Sequence, residues 1–236
     1  MWIIDQMTGK KAVAVILGVL ILAASFFGTA RLGKDQILPA FCQTEIKNGE
    51  KQMKKVALTF DDGPDPEYTQ ELLDGLKARD VRATFFVLGK QAKQYPKLTE
   101  QIAKEGHLIG CHGYEHVNLK SLSMEEACRQ MTRTADLICG ITGSRPMFMR
   151  PPYGKSHEGM EEKVQMIEVL WDIDTMDWSL RDPDRVVQET LAKVEDGSII
   201  LMHDEFQESV DGALQLIDAL KKQNYQFVTV DELILE

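Results

Sequence analysis

From Lys54 to the last residues the chain alternates short apolar runs with stretches of helical periodicity. The runs are VALTF (56–60), ATFFVLG (83–89), HLIGCH (107–112), MFMR (147–150), VLWDID (169–174), SIILMH (198–203) and YQFVTV (225–230), seven candidate strands. Helix starts are legible between them. Asp65-Pro66 and Asp182-Pro183 each set an N-cap residue before a proline suited to the first helical position, and Ser123 with Glu126 makes a capping box. The longest helix is expected from Met124 to about Cys139. Strict alternation of strand and helix restricts the fold to a parallel sheet, either open and doubly wound or closed into a barrel. No glycine-rich phosphate loop follows the first strand, which removes the main support for dinucleotide binding.

The unusual polar residues fall at one end of these runs. Asp61 and Asp62 follow the first, His112 and His116 the third, Arg150 with PPYG the fourth, Asp177-Trp178 the fifth, and His203 closes the sixth. In parallel α/β architectures the carboxyl ends of the strands form the rim where loops converge on a site. Scattered surface charges would not segregate in this way.

HGYEH (112–116) sets two imidazoles at i and i+4, able to share one face of a helical turn and converge on one ion. Alone, that spacing more often belongs to two surface or capping histidines. A carboxylate at the same rim strengthens it. A His, His, carboxylate set leaves positions open for water and substrate, suits zinc, and tolerates other divalent transition metals. The adjacent pair Asp61-Asp62 fits the same picture. Strand neighbours point to opposite sides, and at a strand end turned by Gly63-Pro64 they can take different places around one site. One can bind an ion while the other acts on water. A plain Asp-Gly-Pro turn accounts for Asp62 but not for a second carboxylate beside it. A glycosidase pair needs carboxyl groups at least ~5 Å apart across the scissile bond, which sequence neighbours serve poorly.

TFDDGP, HGYEH, RPPYG, DTMDW and LMHD stand in the order, and at roughly the separations, of the five motifs of the polysaccharide deacetylases. From about Lys54 to Glu236 the chain resembles this family, also called carbohydrate esterase family four or NodB-homology domains. The resemblance implies a distorted (β/α) barrel, seven-stranded in many members. It implies that Asp62, His112 and His116 bind a divalent metal ion, zinc first, with cobalt or another transition metal as alternatives. Asp61 would be the base that deprotonates a metal-bound water, whose pKa a zinc-type ion lowers towards ~7. The backbone N–H of Tyr153 would help hold the oxyanion, and His203 would protonate the departing amine. Arg150 would keep Asp61 ionised and oriented, and Asp177 would do the same for His203. Trp178 and Leu201 would form the pocket for the acetyl methyl, with Tyr153 also at the substrate. Singly, Arg150 reads as an ordinary ion pair, Trp178 and Leu201 as core, and His203 as a helix cap. The ordered set carries the functional reading. His107 and His157 lack such support and are expected to be structural or exposed.

Two departures stand out. The second motif usually carries Ser or Thr after its first histidine, where this chain has Gly113; losing that hydroxyl could loosen the ligand loop. Cys111, before His112, raises the question of a thiolate ligand, but strand alternation turns it away and makes it a buried core thiol. The other cysteines, Cys42, Cys128 and Cys139, form no CxxC pair and are too sparse for a disulfide framework. Cys128 and Cys139 are expected on one helix as core residues.

Ahead of this unit, Ala12 to Ala30 is nineteen apolar or small residues without a charge, enough to cross a bilayer core of roughly 30 Å as a helix. It is expected to be a transmembrane signal-anchor after a short cytoplasmic segment (1–11), or alternatively a cleaved signal peptide ending near Gly28 and Ala30. Residues 31–52 read as a linker and 53–236 as the catalytic domain, placed outside the cytoplasm. With a formal net charge of -10 and no Lys/Arg-rich stripe, nucleic acid has no electrostatic support as a partner. The expected partners are the membrane, through 12–30, and a polysaccharide substrate. The expected activity is that of a polysaccharide deacetylase, a hydrolase of linear amide C–N bonds. Its target is a cell-wall glycan, at N-acetylglucosamine or N-acetylmuramic acid residues. The alternatives are an esterase of O-acetylated glycans of the xylan type and a non-catalytic wall-glycan-binding domain.

Overall fold

The computed structural model describes residues 53–235. The expected cytoplasmic segment, anchor and linker, and Cys42, lie outside the described residues. Among the described residues no helix is long and apolar enough to cross a membrane.

The chain runs β1 (Lys54–Asp61), α1 (Tyr68–Ala78), β2 (Thr84–Val87), α2 (Gly89–Gln94), α3 (Pro96–Lys104), β3 (Leu108–Cys111), α4 (Met124–Thr142) and β4 (Phe148–Met149). It continues with α5 (Met160–Val164), β5 (Ile167–Glu168), β6 (Ile173–Asp174), α6 (Asp177–Leu180), α7 (Pro183–Leu191), β7 (Ser198–His203), α8 (Gln207–Lys222), β8 (Tyr225–Val228) and α9 (Val230–Ile234). All strand pairs are parallel, in the order β5-β4-β3-β2-β1-β7-β6. β8 pairs with the first half of β1, on the edge that β2 takes further along. This is the distorted (β/α) barrel, seven strands on its continuous path and β8 beside it. Among the described residues no ladder joins β5 to β6, so the barrel has a seam there.

The seam corrects one expectation. Residues 169–174 were read as a single strand, but only Ile173–Asp174 are strand, and β5 lies just before the run. The carbonyls of Val169 and Leu170 accept hydrogen bonds from the Arg150 guanidinium, both at 3.0 Å. A side chain has taken the place of a neighbouring strand.

Apolar periodicity explains the rest. α4 buries Ala127, Met131, Ala135 and Ile138 along one stripe and stops at Gly143, whose φ of 78° suits the left-handed helix end. In β1, Phe60 turns to the helix-covered side and stacks on Phe85 at 5.2 Å. Each such buried side chain stabilises the fold by about 1.5–3 kcal/mol. Asp182 caps α7 as expected, accepting from the Arg185 N–H at 3.1 Å. Helix α1 starts later than expected, at Tyr68, because Asp65 closes a turn by accepting from the N–H groups of Glu67 and Tyr68. Ser123 caps α4, but Glu126 meets its hydroxyl rather than its N–H, so the box is half made. Cys128 and Cys139 share α4 as expected, yet are half-buried rather than core.

Candidate active site

The strands end close to one level. Asp61 pairs with His203 across β1 and β7, while His112 follows β3 and Arg150 follows β4. Thr59, Asp61, Leu201 and His203 share the inner face of their strands by period-two alternation. The barrel interior therefore carries the polar groups, and Phe60 and Met202 the core. Past β1 the chain turns at Gly63, which lies so close against the buried Asp204 carboxylate that no side chain would fit there.

Asp61 is buried and its Oδ1 accepts from Arg150 Nη1 at 2.8 Å. Arg150 is wholly buried. It also donates to Thr59 Oγ1 at 2.7 Å and to the two seam carbonyls, and its guanidinium lies 4.2 Å over the Phe86 ring. A buried charge is tolerated when paired and hydrogen-bonded, and both conditions hold here.

Asp62, at φ 77°, leaves the strand conformation and swings its carboxylate toward the histidines. Its Oδ1 lies 3.4 Å from His112 Nε2 and 3.2 Å from His116 Nε2. The ligand atoms of the three side chains all lie within 4.8 Å of one another. His112 Nδ1 donates to the Arg150 carbonyl at 2.7 Å, since a carbonyl can only accept. Burial pushes this imidazole down to about 4, so at neutral pH Nε2 carries a lone pair. That lone pair faces Asp62, and Asp61 Oδ2 at 3.7 Å. Burial first, and the Asp61 charge second, push the Asp62 carboxyl up to about 7. Its buried Oδ1 has no hydrogen-bond partner among the described residues. Lone pairs converging on crowded carboxylates fit a divalent cation. The helical turn expected for HGYEH is not formed. Gly113 and His116 adopt left-handed φ angles of 80° and 53°, and the residues form a loop that still brings the two rings to 5.3 Å.

Across the cleft, His203 Nδ1 meets Asp177 Oδ1 at 2.9 Å, and Asp177 Oδ2 accepts from the His203 backbone N–H at 2.8 Å. Burial works against a charged ring, but the hydrogen bond and charge of Asp177, with Asp61 and Asp62 further off, raise His203 to about 9. Its Nε2 faces Asp62 Oδ2 at 4.0 Å.

These groups line a cleft of about 540 Å³. Tyr153, Trp178 and Leu201 line it too, and Tyr153, at φ 61°, packs its ring 4.8 Å from His116. Arg150 and Asp177 support it from behind. Asp62, His116, Tyr153 and Met176 at this rim are all non-glycine residues at positive φ, a conformation that costs roughly 1–2 kcal/mol each and clusters at working sites. Sequence reasoning missed Trp171, Asp174, Arg181, Glu205 and Phe206, which complete the lining. Asp174 lies in DTMDW, and Glu205 with Phe206 directly follows LMHD, an adjacency that was the available signal; Trp171 and Arg181 stand three residues from DTMDW. Cys111 is a core thiol, pushed up to about 12 by burial, that packs among apolar side chains and does not join the Asp62, His112 and His116 cluster. His107 Nδ1 accepts from the Ala83 N–H, and His157 Nε2 contacts the Leu122 carbonyl, so both are structural.

Fold and site together define a (β/α)-barrel protein with a cation-ready Asp-His-His cluster beside a supported carboxylate and a supported imidazole. Residues 48–169 match the polysaccharide deacetylase family model. The chain is 41% identical over 184 residues to the peptidoglycan-N-acetylmuramic acid deacetylase PdaC of Bacillus subtilis, covering 78% of this chain and 39% of that protein. It is 40% identical over 191 residues to a peptidoglycan-N-acetylglucosamine deacetylase of Bacillus cereus, covering 78% of this chain and 69% of that one. The solved PdaC structure superposes with a TM-score of 0.75 over 77% of this chain and 90% of that chain. The chain belongs to the polysaccharide deacetylase family. It spans about two fifths of the length of the first curated relatives it matches.

Proposed function

We propose that this chain is a divalent-metal-dependent hydrolase that removes N-acetyl groups from peptidoglycan, at N-acetylglucosamine or N-acetylmuramic acid residues. One observation carries the reading: a cation-ready cluster, a carboxylate fixed by Arg150 and an imidazole fixed by Asp177 meet in one cleft. An ion held by Asp62, His112 and His116, zinc first, would polarise the acetamide carbonyl and acidify water. Asp61, its Oδ1 committed to Arg150, takes a proton from the attacking water through Oδ2. The backbone N–H of Tyr153 stabilises the oxyanion. His203 delivers a proton from Nε2 to the departing nitrogen, which leaves poorly without one. Leu201 and Trp178 receive the methyl group. The names of the relatives support the peptidoglycan target. The apolar run 12–30 supports an extracytoplasmic catalytic unit anchored in the membrane.

Acetate release by the purified full-length chain tests this, after chelation and after zinc or cobalt is restored. The substrates are peptidoglycan, N-acetylglucosamine oligomers and O-acetylated xylan. Metal-dependent release from the first two is expected. Release from xylan alone would make the protein an esterase, and no release despite bound metal would make it a binding domain.

Asp177 sets the pH range. His203 is raised above its ordinary 6.5, so its ion pair stabilises the fold fully below 6.5 and is lost as pH rises through about 9. Acid catalysis fades over the same alkaline span, beginning lower once a bound cation opposes the imidazolium. Asp177→Asn is expected to lower the alkaline limb of the rate profile by about 1–2 pH units. Parent and variant are compared with metal bound, and an unmoved limb would separate Asp177 from the acid.

A further inference from the structure

Both imidazoles of the cation cluster hang from one loop, residues 112–116, and that loop is fastened to α4. Gln130, half-buried on α4, accepts through Oε1 from the N–H groups of Tyr114 and Glu115, each at 3.0 Å. One turn further, the Thr134 hydroxyl donates to the Gly113 carbonyl at 2.9 Å, and Gly89 N–H donates to that carbonyl at 3.0 Å. The Arg133 guanidinium lies 3.4 Å over the Tyr114 ring.

We propose that Gln130 is a positioning residue of the metal site, holding the His112–His116 loop in the shape that aims both imidazoles at Asp62. The proposal rests on the metal reading above. Tyr114 and Glu115 are two of the three residues between the ligands, so Gln130 grips the middle of the span. Two converging N–H donors need one acceptor, which fixes the carboxamide with its oxygen toward the loop. The grip matters because His116 sits at φ 53°, a conformation that L residues hold only when their surroundings impose it. Gly113, at φ 80°, has no side chain with which to do so. Released from Gln130, the loop can relax His116 to negative φ and carry its Nε2 away from the 3.2 Å approach to Asp62.

The test measures zinc affinity of the full-length chain by chelator competition, together with hydrogen exchange of the metal-free protein. Gln130→Leu removes the acceptor and ends one bond shorter, whereas Gln130→Glu keeps both the length and the acceptor. Gln130→Asn withdraws the amide by one methylene and serves where Leu disturbs folding. Cys128→Ala controls for damage to α4. The Leu and Asn variants are expected to bind zinc about 10–100-fold more weakly and to exchange the Tyr114 and Glu115 amides faster. Glu and the Cys128 variant should stay near the parent on both. Unchanged zinc affinity in Leu and Asn overturns the proposal, as does an equal loss in Cys128→Ala. A parent chain that binds neither zinc nor cobalt overturns the metal reading and this proposal with it, a result distinct from unchanged binding across the variants.

Discussion

Asp61→Asn should leave a folded protein that still takes up zinc, yet releases acetate about 10²–10⁴-fold more slowly, the range lost with a positioned base. The change is nearly isosteric, and an amide oxygen can still accept from Arg150 Nη1, which now lies 2.8 Å from Oδ1. The capacity to take a proton is gone. Zinc uptake survives because the three clustered side chains are Asp62, His112 and His116. Removing the neighbouring charge also relieves the Asp62 carboxyl, pushed up to about 7 by burial and by Asp61, so zinc meets less proton competition in mild acid. Loss of Asp61's own attraction for the ion offsets part of that gain. Acetate release and zinc titration on the same preparation check both halves. Parental turnover would remove Asp61 from the chemistry, and lost zinc binding would make it a ligand.

Arg150→Ala is expected to act on the fold as well as on the rate. Breaking a buried ion pair by removing one partner costs about 3–5 kcal/mol. Here the loss leaves Asp61 without a cation, strips Thr59 of a partner, and frees two seam carbonyls. In a domain of this size, about 2–4 °C of melting temperature accompanies each kcal/mol, so a drop of roughly 6–20 °C is expected. Arg150→Lys should recover little, because an ammonium group cannot span four acceptors as a guanidinium fork does. Combining Arg150→Met with Asp61→Asn should restore part of the stability but none of the activity. Thermal unfolding of the set decides. A melting temperature within 2–4 °C of the parent in Arg150→Ala would mean that water satisfies these groups.

The rim was legible because two signals coincide there: apolar runs that end abruptly, and residue types that rarely end a strand without reason. Asp61, His112, Arg150 and His203 all stand at such endings, and one cleft or its support gathers them. What stayed hidden depends on partners distant in sequence. Residues 169–172 have a strand's composition, but the carbonyls of Val169 and Leu170 bond to the side chain of Arg150, 19 and 20 positions earlier, and no periodicity encodes that. The spacing of HGYEH is compatible with a helical turn, whereas its shape comes from two left-handed residues. Loop residues such as Glu205 and Phe206 follow no period at all, so only their adjacency to LMHD could have marked them.

The pairing of Asp61 with His203 across β1 and β7 has a consequence for variation among rim loops. Adjacent strands lie about 4.8 Å apart wherever they pair, and that interval is a property of the peptide group. Asp61 and His203, the proposed base and the proposed acid, are therefore mounted on a gauge that no point substitution can recalibrate. Insertions around the cleft can reshape what enters it, while the interval between the two strand ends that carry the proposed base and the proposed acid keeps its length.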